Sequence, residues 1–417
     1  MLNTAAISSM AVLTGTQLLS SHTPVVCSSL SLLYALILKV FFLAWYDFDD
    51  SMWATLLDLL PPIACLLSCV YGPELLSGAM GAGVRDLGLV LAQVVSALSV
   101  CFARSLYLKQ VVGKKFKDVN LDGRVYLVTG SNTGLGYETA KELVRLGGVV
   151  VMACRSLDKA NTARDAILEE TKCRADQLIV LPVPLDLNSF KSVDLFSKEF
   201  LRREQPLHCL VNNAGVMMSE RNVTDDGLEM VITANHLSSF LLTSLMIPAL
   251  DAGAKKWKVY SRIVNVSSSL HQIPKAFNFD DVMSQKHYEL FATYGMSKLA
   301  NILFTIELQR RLTKASNCIT ANCLHPGFVR TEVTRNMNAF LFWGDKLATP
   351  IMLTLQKTPP QGAYCTVHVA ISPDIEKKGG LYFSNCQIAK PGRGATLGDA
   401  ARLWDVSEAL TDAKYYI

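Results

Sequence analysis

The sequence predicts an α/β domain built on a doubly wound parallel sheet, preceded by an apolar helical region that crosses a membrane. Three observations predict it. Residues 1–103 carry very few charges, a glycine-rich turn follows the first short apolar run, and from Val125 onward such runs alternate with helical patterns. The runs are Val125–Val128, Val149–Ala153, Leu178–Pro182, Cys209–Val211, Ile263–Val266 and Thr320–Leu324, with a last strand expected near Gly380–Phe383. Continuously apolar strands separated by helices read as a parallel sheet covered on both faces. Right-handed crossovers then give a Rossmann-type arrangement, with ligands at the carboxyl ends of the strands.

The front of the 417-residue chain accounts for its high mean hydropathy of +0.26. Residues 1–38 contain no Lys, Arg, Asp or Glu. Three candidate spans follow from length and apolarity: Val25–Tyr46, Met52–Tyr71 and Leu87–Ala103. Lys39 and Asp58 fall inside the first two, where charge is costly. The rival reading is a buried helical bundle. A cleaved signal peptide is disfavoured, because no basic segment precedes the apolar run. Arg104, Lys109, Lys114, Lys115 and Lys117 flank the third span, and by the positive-inside rule put the following domain in the cytosol. The division expected is therefore 1–118, a multi-pass membrane region with its basic linker, and 119–417, the catalytic domain.

Eleven scattered cysteines without metal-ligand spacing read as buried thiols in a reducing compartment, and no metal is expected. A net charge of +4 without a basic patch interleaved with aromatics argues against nucleic-acid binding.

The stretch Val125–Gly136 reads strand, turn, helix, with the helix expected from Tyr137 to Leu146. Its turn, Thr129, Gly130, Ser131, Asn132, Thr133, Gly134, Leu135 and Gly136, would let the backbone approach a pyrophosphate at a helix N-terminus. The second strand ends in Cys154-Arg155-Ser156. Sites selective for NAD carry an acid there. An arginine instead favours a 2′-phosphate through charge-assisted bonds, so NADP(H) is expected, with NAD(H) the alternative.

Tyr294 and Lys298 stand four apart in a helix pattern running from Tyr294 to Arg311, which puts them on one face. A neighbouring ammonium and the positive ring of the cofactor would favour the phenolate and draw the tyrosine's pKa down from about 10. In order along the chain come Asn212-Asn213-Ala214-Gly215 after a strand, Asn235 in TANHLSSF, a serine cluster Ser267–Ser269, YGMSK, and Pro326-Gly327 in HPGFVRT.

This series of motifs resembles the short-chain dehydrogenase/reductase family over Leu121 to Gly380. The long separation between Ser268 and Tyr294, with SKLANILFT and NNAGVM, resembles its retinol dehydrogenase branch. The resemblance implies a catalytic set of Asn235, Ser268, Tyr294 and Lys298. Ser267 and Ser269 remain open as alternatives to Ser268. It further implies that Asp186 and Leu187 contact the adenine side, that Asn213, Ala214 and Gly215 line the ribose, and that Pro326, Gly327, Val329 and Thr331 lie along the nicotinamide. Tyr294 and Lys298 would also touch the cofactor.

After Thr331 the family places a lid. Here it reads Met337–Leu353, with Ala339–Trp343 continuously apolar. An apolar lid beside a membrane region suits a lipophilic alcohol or its aldehyde or ketone: a retinoid, a polyprenoid of the dolichol type, a sterol or a long-chain lipid. The partners expected are thus a lipophilic small molecule and a membrane, that of the endoplasmic reticulum, with a homodimer admitted. Two other classes of function compete: a catalytically silent NADP-binding scaffold, and a membrane interaction protein with a redox-sensing domain.

Overall fold

The computed structural model describes residues 119–121, 123–327, 329 and 357–415. The expected membrane region 1–118 with its three spans lies outside the described residues, as do Thr331 and the apolar segment Met337–Leu353.

Eight strands form one sheet: β1 (Val125–Thr129), β2 (Val149–Ala153), β3 (Leu178–Ile179), β4 (Cys209–Asn212), β5 (Ser261–Val266), β6 (Ile319–His325), β7 (Tyr382–Ser384) and β8 (Gln387–Ala389). Their order is β3-β2-β1-β4-β5-β6-β7-β8. Every neighbouring pair is parallel except β7 and β8. The order reverses between β1 and β4, and there the carboxyl strand ends open a crevice.

Alternate strand residues face opposite layers, as the pleat requires. Val125, Leu127, Val151, Leu210, Ile263 and Ala321 pack on helices α3 (Phe190–Arg202), α4 (Met230–Trp257), α5 (Leu290–Lys314) and α7 (Leu397–Thr411). Tyr126, Val128, Val150, Met152, Cys209, Val211 and Val264 pack on α1 (Gly134–Arg145), α2 (Leu157–Thr171) and α6 (Pro359–Ile371). Both faces are covered, which is why these strands read as unbroken apolar runs.

Helix α4 alone among the described residues is long and apolar enough to cross a membrane, yet 89% of its apolar window is buried in the domain. It is a core helix. Its start is set by Glu229, whose buried carboxylate accepts from the N–H groups of Val231 and Ile232 at 2.8 Å each.

The structure corrects three details of the sequence reading. Helix α1 begins at Gly134, three residues earlier than expected, because Thr133 holds the extended cap conformation. Strand β3 is shorter than Leu178–Pro182, since Pro182 and Pro184 cannot donate to a ladder and the strand lies at the sheet edge. Strand β8 was not expected at all. It is reached through a two-residue turn, Asn385-Cys386, in which both residues have positive φ (53° and 60°). Such turns ordinarily announce themselves with glycine. Here the glycine is missing.

Candidate active site

The glycine turn is stitched to β4 through Thr129. Its hydroxyl accepts from the N–H groups of Asn213 (3.0 Å) and Ala214 (2.9 Å), and Asn213 Nδ2 donates to the Thr129 carbonyl at 2.8 Å. Gly130 and Gly134 take left-handed φ values of 66° and 58°. A methyl group on Gly130 would meet Ala214 at 3.0 Å, and one on Gly136 would lie 2.6 Å from Asn213 Nδ2. The turn and the Asn213–Gly215 segment therefore form one surface.

The first turn of α1 has no side-chain cap and no acidic residue. Its N-terminal N–H groups and positive dipole end are left for an anion, and a methyl on Gly134 would meet nothing within 4 Å. These features fit the pyrophosphate of a dinucleotide. Leu135 and Val329 both pack over Gly362 of α6, which joins the glycine turn to the loop after β6.

Arg155 is exposed just beyond β2, next to the turn, while Ser131 is fully buried with its hydroxyl 3.5 Å from the Cys154 sulfur. Ser156 caps α2 by accepting from Lys159 N–H. Asp186 closes its own turn, its carboxylate accepting from Asn188 N–H at 3.0 Å, and Leu187 is buried with its carbonyl taking the Ser238 hydroxyl.

Tyr294 and Lys298 share one face of α5 and are almost fully buried, with Lys298 Nζ 5.5 Å from the centroid of the Tyr294 ring. The ammonium donates to the Val266 carbonyl at the end of β5, at 3.0 Å. A methyl on Gly215 would meet both Lys298 Nζ (3.1 Å) and Asn235 Oδ1 (3.2 Å). Asn235 lies in a π-turn of α4, Thr233–Leu237, a distortion frequent at functional sites. It is pinned by accepting from Val216 N–H at 2.7 Å and donating to the Val216 carbonyl and to Ser297 Oγ, at 2.9 Å each.

Burial lowers the Lys298 pKa to about 8. Among the protein's own residues, burial raises the Tyr294 phenol to about 12, opposed by the hydrogen bond with Ser268; the expected lowering rests in part on the positive ring of a bound cofactor. Desolvation dominates, and the Lys298 ammonium is turned toward Val266.

The three serines divide their tasks. Ser267 is buried and donates to the Lys298 carbonyl at 2.7 Å. Ser269 is exposed, and its N–H donates to His325 Nδ1 at 3.1 Å. Ser268 is the one hydrogen-bonded to Tyr294.

Two histidines that sequence reasoning did not single out hold this loop. His271 takes the N–H of Gly392 on Nε2 (2.9 Å), so Nδ1 carries the proton donated to the Ser268 carbonyl at 2.5 Å. Burial lowers its pKa, and burial with the nearby Lys357 charge lowers that of His325 to about 4. Both are neutral near pH 7. Pro326 and Gly327 rest on the buried Lys357, whose ammonium donates to the Pro326 carbonyl at 3.2 Å. No motif signalled Lys357, which lies 31 residues further along the chain.

Residues 124–341 match the family model for short chain dehydrogenases. This chain belongs to that family. Retinol dehydrogenase 12 from Mus musculus is 40% identical over 75% of this chain and 96% of its own. Retinol dehydrogenase 11 from Homo sapiens is 42% identical over 69% and 86% respectively. An uncharacterized protein from Mycobacterium paratuberculosis shares the fold, with a TM-score of 0.57 and 31% identity over 72% of this chain and 97% of that one. The short chain dehydrogenase described here is thus an oxidoreductase related to the retinol dehydrogenases.

The depressed pKa of Lys298 means that folding is penalised wherever the lysine must be charged. That penalty is complete below about pH 8 and fades as pH rises toward the ordinary value of 10.5. Lys298→Met should therefore stabilise the protein at pH 7 by about 2 kcal/mol, roughly 3 from the pKa displacement less about 1 for the lost hydrogen bond. Denaturant titrations of both proteins at pH 7 and pH 10 check this. The gain should shrink at the higher pH while turnover is lost at both.

Proposed function

We propose that this protein is a membrane-anchored, NADP(H)-dependent oxidoreductase that interconverts a lipophilic alcohol and its aldehyde or ketone. The observation that carries the reading is the convergence of Ser268, Tyr294, Lys298 and Asn235 beside an uncapped glycine-turn helix. A nicotinamide cofactor bound along that turn supplies or accepts the hydride.

The chain's own residues then handle the oxygen and its proton. Ser268 Oγ donates to the substrate oxygen and holds it beside the Tyr294 hydroxyl. Tyr294, kept protonated by burial, gives its proton to that oxygen as a carbonyl is reduced. The phenolate left behind is stabilised by the Lys298 ammonium 5.5 Å from the ring. Asn235 and Gly215 keep the space around Lys298 Nζ open and polar. Conversion in the oxidative direction runs the same transfers in reverse.

An apolar substrate is supported by what surrounds Tyr294. Met217, Val231 and Leu290 bury it, with Met218 and Leu270 at the margin. Ile273 and Phe291, on the segments that flank it, are 48% and 37% exposed. The apolar Ala339–Trp343 and the charge-poor residues 1–103 extend the same character in sequence. We place the anchor in 1–118, with the catalytic domain, 119–417, on the cytosolic side of the endoplasmic reticulum, on the basic flank from Arg104 to Lys117.

Tyr294→Phe should abolish turnover of apolar aldehydes while leaving NADPH binding intact, read as a fluorescence titration beside a turnover assay. Activity above a few per cent of wild type would remove the phenol from the reaction. Arg155→Asp should move the ratio of kcat/KM for NADPH over NADH down by roughly tenfold to a hundredfold, the size of one charge-assisted hydrogen bond. An unchanged ratio would withdraw the assignment of the 2′-phosphate to Arg155.

A further inference from the structure

The turn between β7 and β8 is built against its own backbone preferences. Asn385 and Cys386 both occupy the left-handed region, where a residue with a Cβ is strained and glycine is not. A cysteine at the second position is therefore retained at a cost in stability. What it meets there is a second thiol. Cys386 N–H donates to Cys365 Sγ at 3.4 Å, which sets the two thiols side by side.

The pair is asymmetric. Cys365 lies on α6 and is 1% exposed, whereas Cys386 is partly open to solvent. Lys357 brings a cation to the same turn, donating to Asn385 Oδ1 at 3.0 Å and, on its other side, to the Pro326 carbonyl. The hydrogen bond from Cys365, with the Lys357 charge, holds the Cys386 thiol below its ordinary range, and the bond together with burial holds Cys365 above it. The other buried thiols, Cys154, Cys209 and Cys323, are pushed up by burial and are poor nucleophiles.

We propose that Cys365 and Cys386 form a peroxide-reactive dithiol whose closure to a disulfide changes the Pro326–Gly327 edge of the cofactor cleft. The Cys386 thiolate attacks hydrogen peroxide, breaking the O–O bond and forming a sulfenic acid, with hydroxide leaving as water after protonation. The Cys365 thiol then displaces the sulfenic oxygen as a second water, and the S–S bond forms. The dithiol loses two electrons and two protons, and the peroxide is reduced to two waters. The Cys386 thiol is consumed, and the turn that carries Asn385 is tied to α6. Lys357 thereby loses part of what holds it under Pro326. In a reducing compartment such a disulfide is transient, as a sensor requires. The effect on cofactor rests on the function proposed above; the chemistry of the thiols does not.

The test uses the full-length protein in detergent, treated with limiting hydrogen peroxide, alkylated and mapped by peptide mass spectrometry, beside NADPH fluorescence titrations. The expected result is a Cys365–Cys386 cross-linked peptide, lighter by two hydrogens and reversed by dithiothreitol, with several-fold weaker NADPH binding in the oxidised protein. Cys365→Ser should stop at a sulfenic acid on Cys386 that dimedone traps. Cys386→Gly should remove the cross-link and raise Tm, because glycine relieves the turn. Absence of the cross-link, or alkylation of Cys386 no faster than that of the exposed Cys318, overturns the dithiol. A cross-link that leaves NADPH affinity unchanged overturns its coupling to the cleft. A cross-link in a protein that binds no nicotinamide cofactor in either state overturns the proposed function and leaves the dithiol standing.

Discussion

A lysine ammonium buried without a carboxylate beside it is the constraint on which the site depends. Moving such a charge out of water costs several kcal/mol unless fixed dipoles replace the solvent. Among the described residues no carboxylate forms an ion pair with Lys298, and the Val266 carbonyl takes its hydrogen bond. That carbonyl must therefore be held in place. A chain of buried amides ensures it: Asn212 donates to Asn265 Oδ1 at 2.8 Å, and Asn265 donates to Thr305 of α5 at 2.9 Å. Ser267 closes the contact by donating to the Lys298 carbonyl. Helix α5 is thus fixed to the carboxyl end of β5 by polar bonds in a setting where apolar packing alone would tolerate a slide.

The same logic governs the elements around it. The parallel sheet delivers β1, β4, β5 and β6 to one crevice, and each strand end contributes a polar group there: Thr129, Asn212, Ser267 and His325. Asn235 reaches the crevice because α4 starts at a cap made by Glu229 and widens into the π-turn Thr233–Leu237 that contains it. His271 and Lys357 act one layer further out. One holds the backbone of Ser268, and the other supports Pro326 and Gly327.

Much of this was legible in the sequence, for identifiable reasons. Strands β1, β2, β4, β5 and β6 were read to within a few residues because a sheet covered on both faces leaves unbroken apolar runs. The glycine turn and the four-residue spacing of Tyr294 and Lys298 are local patterns, so their geometry is written locally. The choice of Ser268 over Ser267 and Ser269 came from the resemblance and not from the residues themselves. Consecutive serines in extended backbone differ only in which way they point, and that is set by Lys298, Tyr294 and His325 from distant segments. The rise that burial gives the Tyr294 phenol was not legible, because burial is a property of the folded layer and not of the neighbouring residue. Strand β8 escaped notice because its turn lacks the glycine that would have marked it, and that omission led to the Cys365–Cys386 pair.

The central claim is that a hydride passes between a nicotinamide and an apolar carbonyl held by Ser268 and Tyr294. The most direct measurement supplies the full-length protein in lipid vesicles with NADPH deuterated at the transferring carbon and a panel of retinoid, polyprenoid and long-chain aldehydes. Mass spectrometry of the products should find one deuterium on the carbinol carbon of at least one apolar alcohol, and none when Tyr294 is replaced by Phe. Label that stays in a bound cofactor for every apolar aldehyde, or that reaches product equally well without the phenol, would contradict the account.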